Sequence, residues 1–364
     1  MRTRAAVLRA GDAPFTLEDV ELAEPGPGEV LVRVAAAGMC HTDLSGRRPR
    51  PAGAELLPAI LGHEGAGVVE STGSGVTRVR PGDHVVLSFD SCGWCRQCLA
   101  GAPSYCEEFR ERNLTGRRVD GSTGAVAADG TELSSRWFAQ SSFAHHCVAT
   151  ERSVVTVDPD LPLDVLAPLG CGVQTGAGSI LIGLGVTAGA SVAVFGSGAV
   201  GLSAVLAARL AGAARIVAVD LHAKRRELAL ELGATHALDG ADPDLVAQLQ
   251  EITGGGLDHA FDTTGVPSVM RSAVEALGPR GALGLAAGAD VLLELPPPLL
   301  AGRTVTFLLE GDAVPQTFIP QLIEHWQQGR FPFDRMIRPY AFDAINDAEQ
   351  DSRSGETIKP VLVI

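Results

Sequence analysis

Through the first 170 residues apolar side chains come in short runs rich in Val and Ala, separated by Gly, Pro and polar residues: EVLVRVAAAG (29–38), GAGVVESTGSG (65–75), GDHVVLS (82–88), SFAHHCVAT (142–150) and SVVTV (153–157). Short β-branched runs between turn formers predict strands, and their density predicts a compact, mostly β unit. From about residue 172 the rhythm changes to strand-like runs alternating with longer helical stretches: SVAVFG, AVGLSAVLAARLAG, RIVAVD, AKRRELALELGA, HAFDTTG, VPSVMRSAVEALG and GALGLAA. Such alternation predicts βαβ units around a parallel sheet with helices on both faces, so the chain as a whole reads as α/β. From about Glu310 the alternation stops; TFIPQLIEHWQQG (317–329) reads as one amphipathic helix and ETIKPVLVI as a strand. Residues 107–136 are polar and read as a surface excursion.

With 364 residues and 46% hydrophobic side chains the chain can bury a large core, and its size favours two domains. The N-terminal stretch lacks the apolar core of a signal peptide, and no run of about 18 apolar residues could span a bilayer. The expected location is the cytoplasm, where thiols stay reduced. A net charge of −14 with dispersed Lys and Arg argues against nucleic acid and anionic membranes as partners.

Four of the seven cysteines crowd into SCGWCRQCLAGAPSYC (91–106). Cys92, Cys95, Cys98 and Cys106 are separated by two, two and seven residues. Two-residue gaps let neighbouring thiolates face one ion, and four thiolates fill tetrahedral zinc with no open position, which makes a structural site. Two disulfides or an iron–sulfur cluster compete; the compartment weighs against the first and the seven-residue gap against the second. Elsewhere Cys40 in GMCHTDLSG, His63 followed by Glu64 in LGHEGAGVV, and Cys171 in PLGCGVQTGAG offer the Cys₂His set of a catalytic zinc with one open position. Spacing alone does not bring these three together, and taken singly each favours the ordinary reading, a small core hydrophobe for the cysteines and a surface or core histidine for His63. Cys147, on an alternating strand, reads as core.

Gly196, Gly198 and Gly201 form G-x-G-x-x-G between an apolar strand and a helical run, the context required of a dinucleotide-binding turn. Asp220 ends RIVAVD about 20 residues further on, where a carboxylate accepts from ribose hydroxyls and repels a 2′-phosphate. NAD is therefore expected rather than NADP, with His222 and Arg225 nearby keeping NADP open.

In this order the motifs resemble the zinc-dependent medium-chain alcohol dehydrogenases over essentially the whole chain. SSFAHHCV, PLGCGVQTGAGSIL and GRFPFDRMIRPYAF most resemble the aryl- or benzyl-alcohol dehydrogenase branch. The resemblance implies a GroES-like, mostly β catalytic domain of residues 1–171 and 311–364, with a Rossmann NAD-binding domain of residues 172–310 inserted. Two zinc ions per chain are implied, a catalytic one on Cys40, His63 and Cys171 and a structural one on Cys92, Cys95, Cys98 and Cys106. By the same matching Asp43 orients His63, Glu64 stands behind the metal, and Thr42 takes the alcohol proton. His41 and Lys359 fall at the pyrophosphate, Val200 and Thr175 at the nicotinamide, and Trp137 and Phe138 in the substrate pocket. One position departs: many members carry a histidine five residues after the first zinc cysteine, and here Ser45 stands there, which puts the outer proton path in doubt.

The implied reaction interconverts a primary benzylic or allylic alcohol and its aldehyde through hydride transfer with NAD, in a homodimer or homotetramer acting on a small molecule. An NADPH-preferring reductase of a terpenoid or biosynthetic aldehyde is a second reading. A nucleotide-binding sensor or structural protein is a third, opposed by the presence of Cys40, His63, Cys171 and Thr42 together.

Overall fold

A computed structural model describes residues 1–51, 54–288 and 291–364. They divide into two compact units, one of Met1–Cys171, Val314–Ile323 and Asp334–Ile364, the other of Gly172–Ala313 and Glu324–Phe333. The division at Cys171 coincides with the change of sequence rhythm. Residues 311–313 and 324–333, expected with the first unit, group with the second. In the latter segment Phe333 packs against Trp326 and Phe331, with ring centroids 5.9 and 6.1 Å apart.

Two sheets build the first unit. One has five strands in the order Ala59–Ile60, Arg2–Leu8, Phe15–Leu22, Ala125–Ala127 and Glu132–Leu133. Arg2–Leu8 and Phe15–Leu22 were not among the expected strands, because Arg2, Arg4, Glu18 and Asp19 interrupt their apolar runs. The other has seven strands centred on Glu29–Gly38, which pairs antiparallel with Glu64–Thr72, with His146–Thr150 and with Lys359–Val363. Surrounded in this way, Glu29–Gly38 is buried almost throughout, as its near-continuous apolar sequence requires.

The polar stretch 107–136 is more than a surface excursion. Asn113 and Arg136 are buried, and Ala125–Ala127 is a strand of the five-stranded sheet. The stretch also neutralises a buried carboxylate: Arg118 donates to Glu29 Oε1 and Oε2 at 2.8 and 3.0 Å, and Arg136 stands 3.1 Å from the same side chain. Burial alone would raise the Glu29 pKa, but these two guanidiniums hold it below the usual carboxylate range.

The second unit carries six parallel strands in the order His236–Asp239, Arg215–Asp220, Ser191–Phe195, Leu257–Asp262, Leu277–Leu285 and Thr304–Phe307. Numbered along this unit, that is 3-2-1-4-5-6, the doubly wound order of dinucleotide-binding sheets, with the ligand crevice where the order reverses. Helix Ala199–Leu210 is buried at most positions, in keeping with a composition that is apolar apart from Ser203 and Arg209. Among the described residues no single helix is long and apolar enough to cross a membrane.

Candidate active site

Cys92, Cys95, Cys98 and Cys106 meet with all four ligand atoms within 4.8 Å of one another. Backbone N–H groups aim the sulfurs: Cys95 donates to Cys92 Sγ at 3.3 Å and Cys92 to Cys106 Sγ at 3.2 Å. All seven cysteines are free thiols, so the disulfide reading falls. Backbone hydrogen bonds from Cys98 and Glu107 bring the Cys95 thiol down to about 6, while burial pushes Cys106 up to about 12. Four converging sulfurs of this kind fit a tetrahedral cation. The lobe is tied to the body of the unit through Arg112, which donates to Asp90 Oδ2 at 3.0 Å and to Glu108 Oε2 at 2.7 Å. Cys147 lies apart in an apolar cluster, and burial raises its thiol to about 12, as a core cysteine should behave.

Cys40, His63 and Cys171, 131 residues apart in sequence, also bring their ligand atoms within 4.8 Å. Adjacent strand ends assemble the centre: Gly38 faces Glu64 across one pairing and Val361 across another. A Cβ on Gly38 would come within 2.1 Å of Glu64 Oε2, so only glycine leaves room for that carboxylate. The Cys-x-x-Asp spacing has a local cause. Cys40 precedes helix His41–Ser45, and Asp43 at its third position reaches back to the Cys40 N–H at 3.1 Å as half of a capping box.

Asp43 is buried, and its Oδ1 lies 2.7 Å from His63 Nδ1. With Nδ1 so engaged, His63 Nε2 is the nitrogen left for a ligand; it is buried and has no hydrogen-bond partner. A buried orphan nitrogen beside two thiols fits a zinc ion and is costly without one. Burial opposes the charged imidazole, yet Asp43 and Cys40 together hold its pKa well above the usual histidine range. The hydrogen bond from Cys171, and after it the charge of His63, hold the Cys40 thiol well below its usual range despite burial. The Cys40 thiol points at Thr42 Oγ1, 3.8 Å away, and Ser45 Oγ donates to Thr42 O at 2.7 Å. His41 is exposed.

One expectation needs correction. Lys359, expected at the pyrophosphate, is 2% exposed, and its ammonium donates to Glu64 Oε1 and Oε2 at 2.9 and 2.8 Å and to Met39 O at 3.2 Å. An ammonium has three N–H donors, and all three are used inside the first unit. Burial raises the Glu64 carboxyl pKa, with Lys359 opposing the rise. Trp137 and Phe138, expected to line the substrate pocket, are 1% and 5% exposed. Trp137 points its indole nitrogen at Asp43 and Phe138 stacks on the His63 ring, so both pack around that histidine. A cavity of about 850 Å³ opens beside helix His41–Ser45, with Leu44, Leu56 and Leu57 on its apolar side and Arg47, Arg48, Arg50 and Arg353 on its charged side.

In the second unit Gly196 has φ +93°, and a Cβ there would meet Thr263 Oγ1 at 2.4 Å. A Cβ on Gly201 would fall 1.8 Å from Gly196 O, whereas one on Gly198 would meet nothing within 4 Å. The outer two glycines are thus needed for the turn and the helix approach, and the middle one leaves the open surface that a pyrophosphate requires. Asp220 accepts from the Ser197 N–H at 2.7 Å and the His222 N–H at 2.8 Å, which fixes it beside the loop. Arg226 donates to Asp220 O at 2.7 Å. Val200 lies half-buried between Gly198 and Gly201, in the first turn of helix Ala199–Leu210, and Thr175 is buried, with Oγ1 3.4 Å from Glu310 Oε2. Asp220→Gly is expected to lower kcat/KM for NAD by roughly 10- to 100-fold, the worth of hydrogen bonds to a charged acceptor, while NADP loses less or gains. An unmodified protein that already prefers NADP in the same assay would refute this reading of Asp220.

The alcohol dehydrogenase GroES-like domain matches residues 26–159 and the zinc-binding dehydrogenase domain residues 199–325. A geraniol dehydrogenase from Castellaniella defragrans is 48% identical over 366 residues, spanning 99% of this chain and 97% of that protein. Among solved structures, an alcohol dehydrogenase zinc-binding domain protein from Burkholderia ambifaria shares 48% identity with a TM-score of 0.96, covering 100% of this chain and 99% of its own. The benzyl alcohol dehydrogenase from Acinetobacter calcoaceticus shares 43% with a TM-score of 0.94 over the same spans. Similarity at this level over the full length, on a chain whose cysteines and histidine converge as described, means that the protein belongs to the zinc-dependent medium-chain alcohol dehydrogenases.

Proposed function

We propose that this protein interconverts a primary alcohol, benzylic or allylic at the carbinol carbon, and the matching aldehyde, with NAD as hydride carrier. The observation that carries the reading is the buried Cys40–His63–Cys171 triad with its orphan His63 Nε2, in a chain similar throughout to a geraniol and a benzyl alcohol dehydrogenase. Bound there, zinc supplies the Lewis acidity that brings an alcohol proton within reach of neutral pH, and NAD supplies the hydride acceptor. Asp43 keeps the imidazole in the tautomer whose Nε2 ligates. Thr42 Oγ1, beside Cys40, takes the alcohol proton. Ser45 does not extend that path as a histidine would, because its hydroxyl proton is given to Thr42 O. Lys359 neutralises Glu64, so a second carboxylate does not crowd the ligands with free charge. Leu44, Leu56 and Leu57 offer apolar surface to the substrate's hydrocarbon part.

In this reading the catalytic domain comprises residues 1–171 and the C-terminal segment, and residues 172–310 hold NAD through Gly196, Gly198, Gly201 and Asp220. We place the protein in the cytoplasm as a homodimer or homotetramer, a setting suited to seven free thiols. The substrate reading is tested by kcat/KM with NAD for benzyl alcohol, cinnamyl alcohol, geraniol, hexanol, ethanol and a secondary alcohol. A methylene in an apolar pocket changes such ratios about 10- to 200-fold, so benzylic and allylic members should exceed ethanol by more than that. Ethanol or the secondary alcohol leading the series would overturn the substrate class and leave the metal chemistry standing.

A further inference from the structure

We infer that Trp137 is a positioning residue for the reaction, acting through its indole N–H on Asp43 and so on the His63 imidazole. The inference rests on the zinc reading of His63 proposed above. Trp137 Nε1 donates to Asp43 Oδ1 at 3.1 Å, the oxygen that also faces His63 Nδ1 and accepts from the Gly62 N–H at 3.1 Å. The other oxygen accepts from the Cys40 N–H. Three partners on Oδ1 and one on Oδ2 hold the carboxylate by both oxygens and oppose its turning.

The same short segment holds the ring from other sides. Phe138 stacks on the imidazole with centroids 4.6 Å apart and planes 29° from parallel. Gln140 donates from Nε2 to His63 O at 2.9 Å and accepts at Oε1 from the Gly65 N–H at 3.0 Å, fixing the backbone on both sides of the ligand. Phe138, Ala139 and Ser141 all have φ between 50° and 56°, a left-handed conformation that side chains other than glycine adopt rarely. Such strain persists only where the surroundings over-determine it and clusters at functional centres. Here Ser141 closes the turn, accepting from the Trp137 N–H at 2.9 Å and donating to Ile60 O at 2.6 Å. The turn's effect is to aim the indole N–H inward at Asp43.

Trp137→Phe keeps an aromatic ring and removes only the N–H. Outer partners of this type change metal affinity or activity about 10- to 100-fold. The variant is expected to release zinc from the open site to a competing chelator at a concentration lower by about that factor, with the four-thiolate zinc and NAD affinity unchanged. Its kcat should fall while KM for NAD holds. In an Asp43→Asn background the same change should have little further effect, since the two residues act as one unit. Equal open-site zinc affinity in Trp137→Phe and the unmodified protein would overturn the inference. An unmodified protein that carries only the four-thiolate zinc would instead defeat the reading beneath it. Should Trp137→Phe fail to fold, the indole N–H resonance of Trp137 decides, assigned by removing those of Trp94 and Trp326 in turn. It is expected to shift when chelator empties the open site, and a resonance that stays in place overturns the inference.

Discussion

Cys171→Ala is expected to give a folded, NAD-binding protein with one zinc ion per chain and kcat lower by about 10³-fold or more. Lewis-acid stabilisation is worth several kcal/mol, and each 1.36 kcal/mol is about tenfold in rate. Cys171 suits the experiment because it closes the turn Ala167–Gly170 and lies outside any strand, so truncation removes a ligand without cutting a sheet. Metal analysis beside kinetics checks the result. Two zinc ions retained with full activity would show that Cys171 is no ligand.

A different outcome is expected when the four-thiolate site is broken, as by Cys98→Ser. Beyond the polar ties from Arg112 to Asp90 and from Arg152 to Ser91 O, the lobe has little apolar packing: its cluster comprises Cys92, Cys95 and Cys106 with Cys98 and Phe109 packed against them. Its regular structure is one helical turn at Arg96–Leu99 and a shorter turn at Pro103–Tyr105. Structural zinc in finger peptides contributes about 10–16 kcal/mol of apparent binding energy that is also folding energy, far more than these contacts supply. Amide exchange across residues 92–109 should therefore rise towards unfolded rates, while the six-stranded parallel sheet keeps its protection. Unchanged exchange in the lobe of Cys98→Ser would mean that packing, not metal, orders it.

The parts of the site that were legible in the sequence are those whose cause is local. The glycine turn needs its outer glycines for contacts with neighbouring backbone and the adjoining strand, and the Cys-x-x-Asp spacing is that of a helix cap. The three zinc-ligand candidates could be named but not joined from composition and spacing, since strand register brings them together; family resemblance supplied the grouping. Lys359 was misplaced because its role depends on Val361 pairing with Gly38, which sets the ammonium beside Glu64. The contact of Trp137 with Asp43 was hidden for a subtler reason: nothing in WFAQS announces three left-handed residues other than glycine in the turn that carries the indole. The polar stretch 107–136 misled because Arg118 and Arg136 serve an internal carboxylate, Glu29, 89 residues away from Arg118 in the chain.

The pairing of Lys359–Val363 with Glu29–Gly38 bears on the order in which the molecule comes into being. Residues 359–363 leave the ribosome only after the whole of the parallel-sheet unit has been made, so that unit can fold while the other still lacks a strand. Until then Glu64 has no ammonium beside it, and Glu29–Gly38 exposes an unpaired edge next to the nascent metal ligands. Completion of the catalytic unit is thus a late event in synthesis, and a ribosome stalled before Lys359 would leave a chain able to fold around nucleotide while its metal centre stayed unfinished.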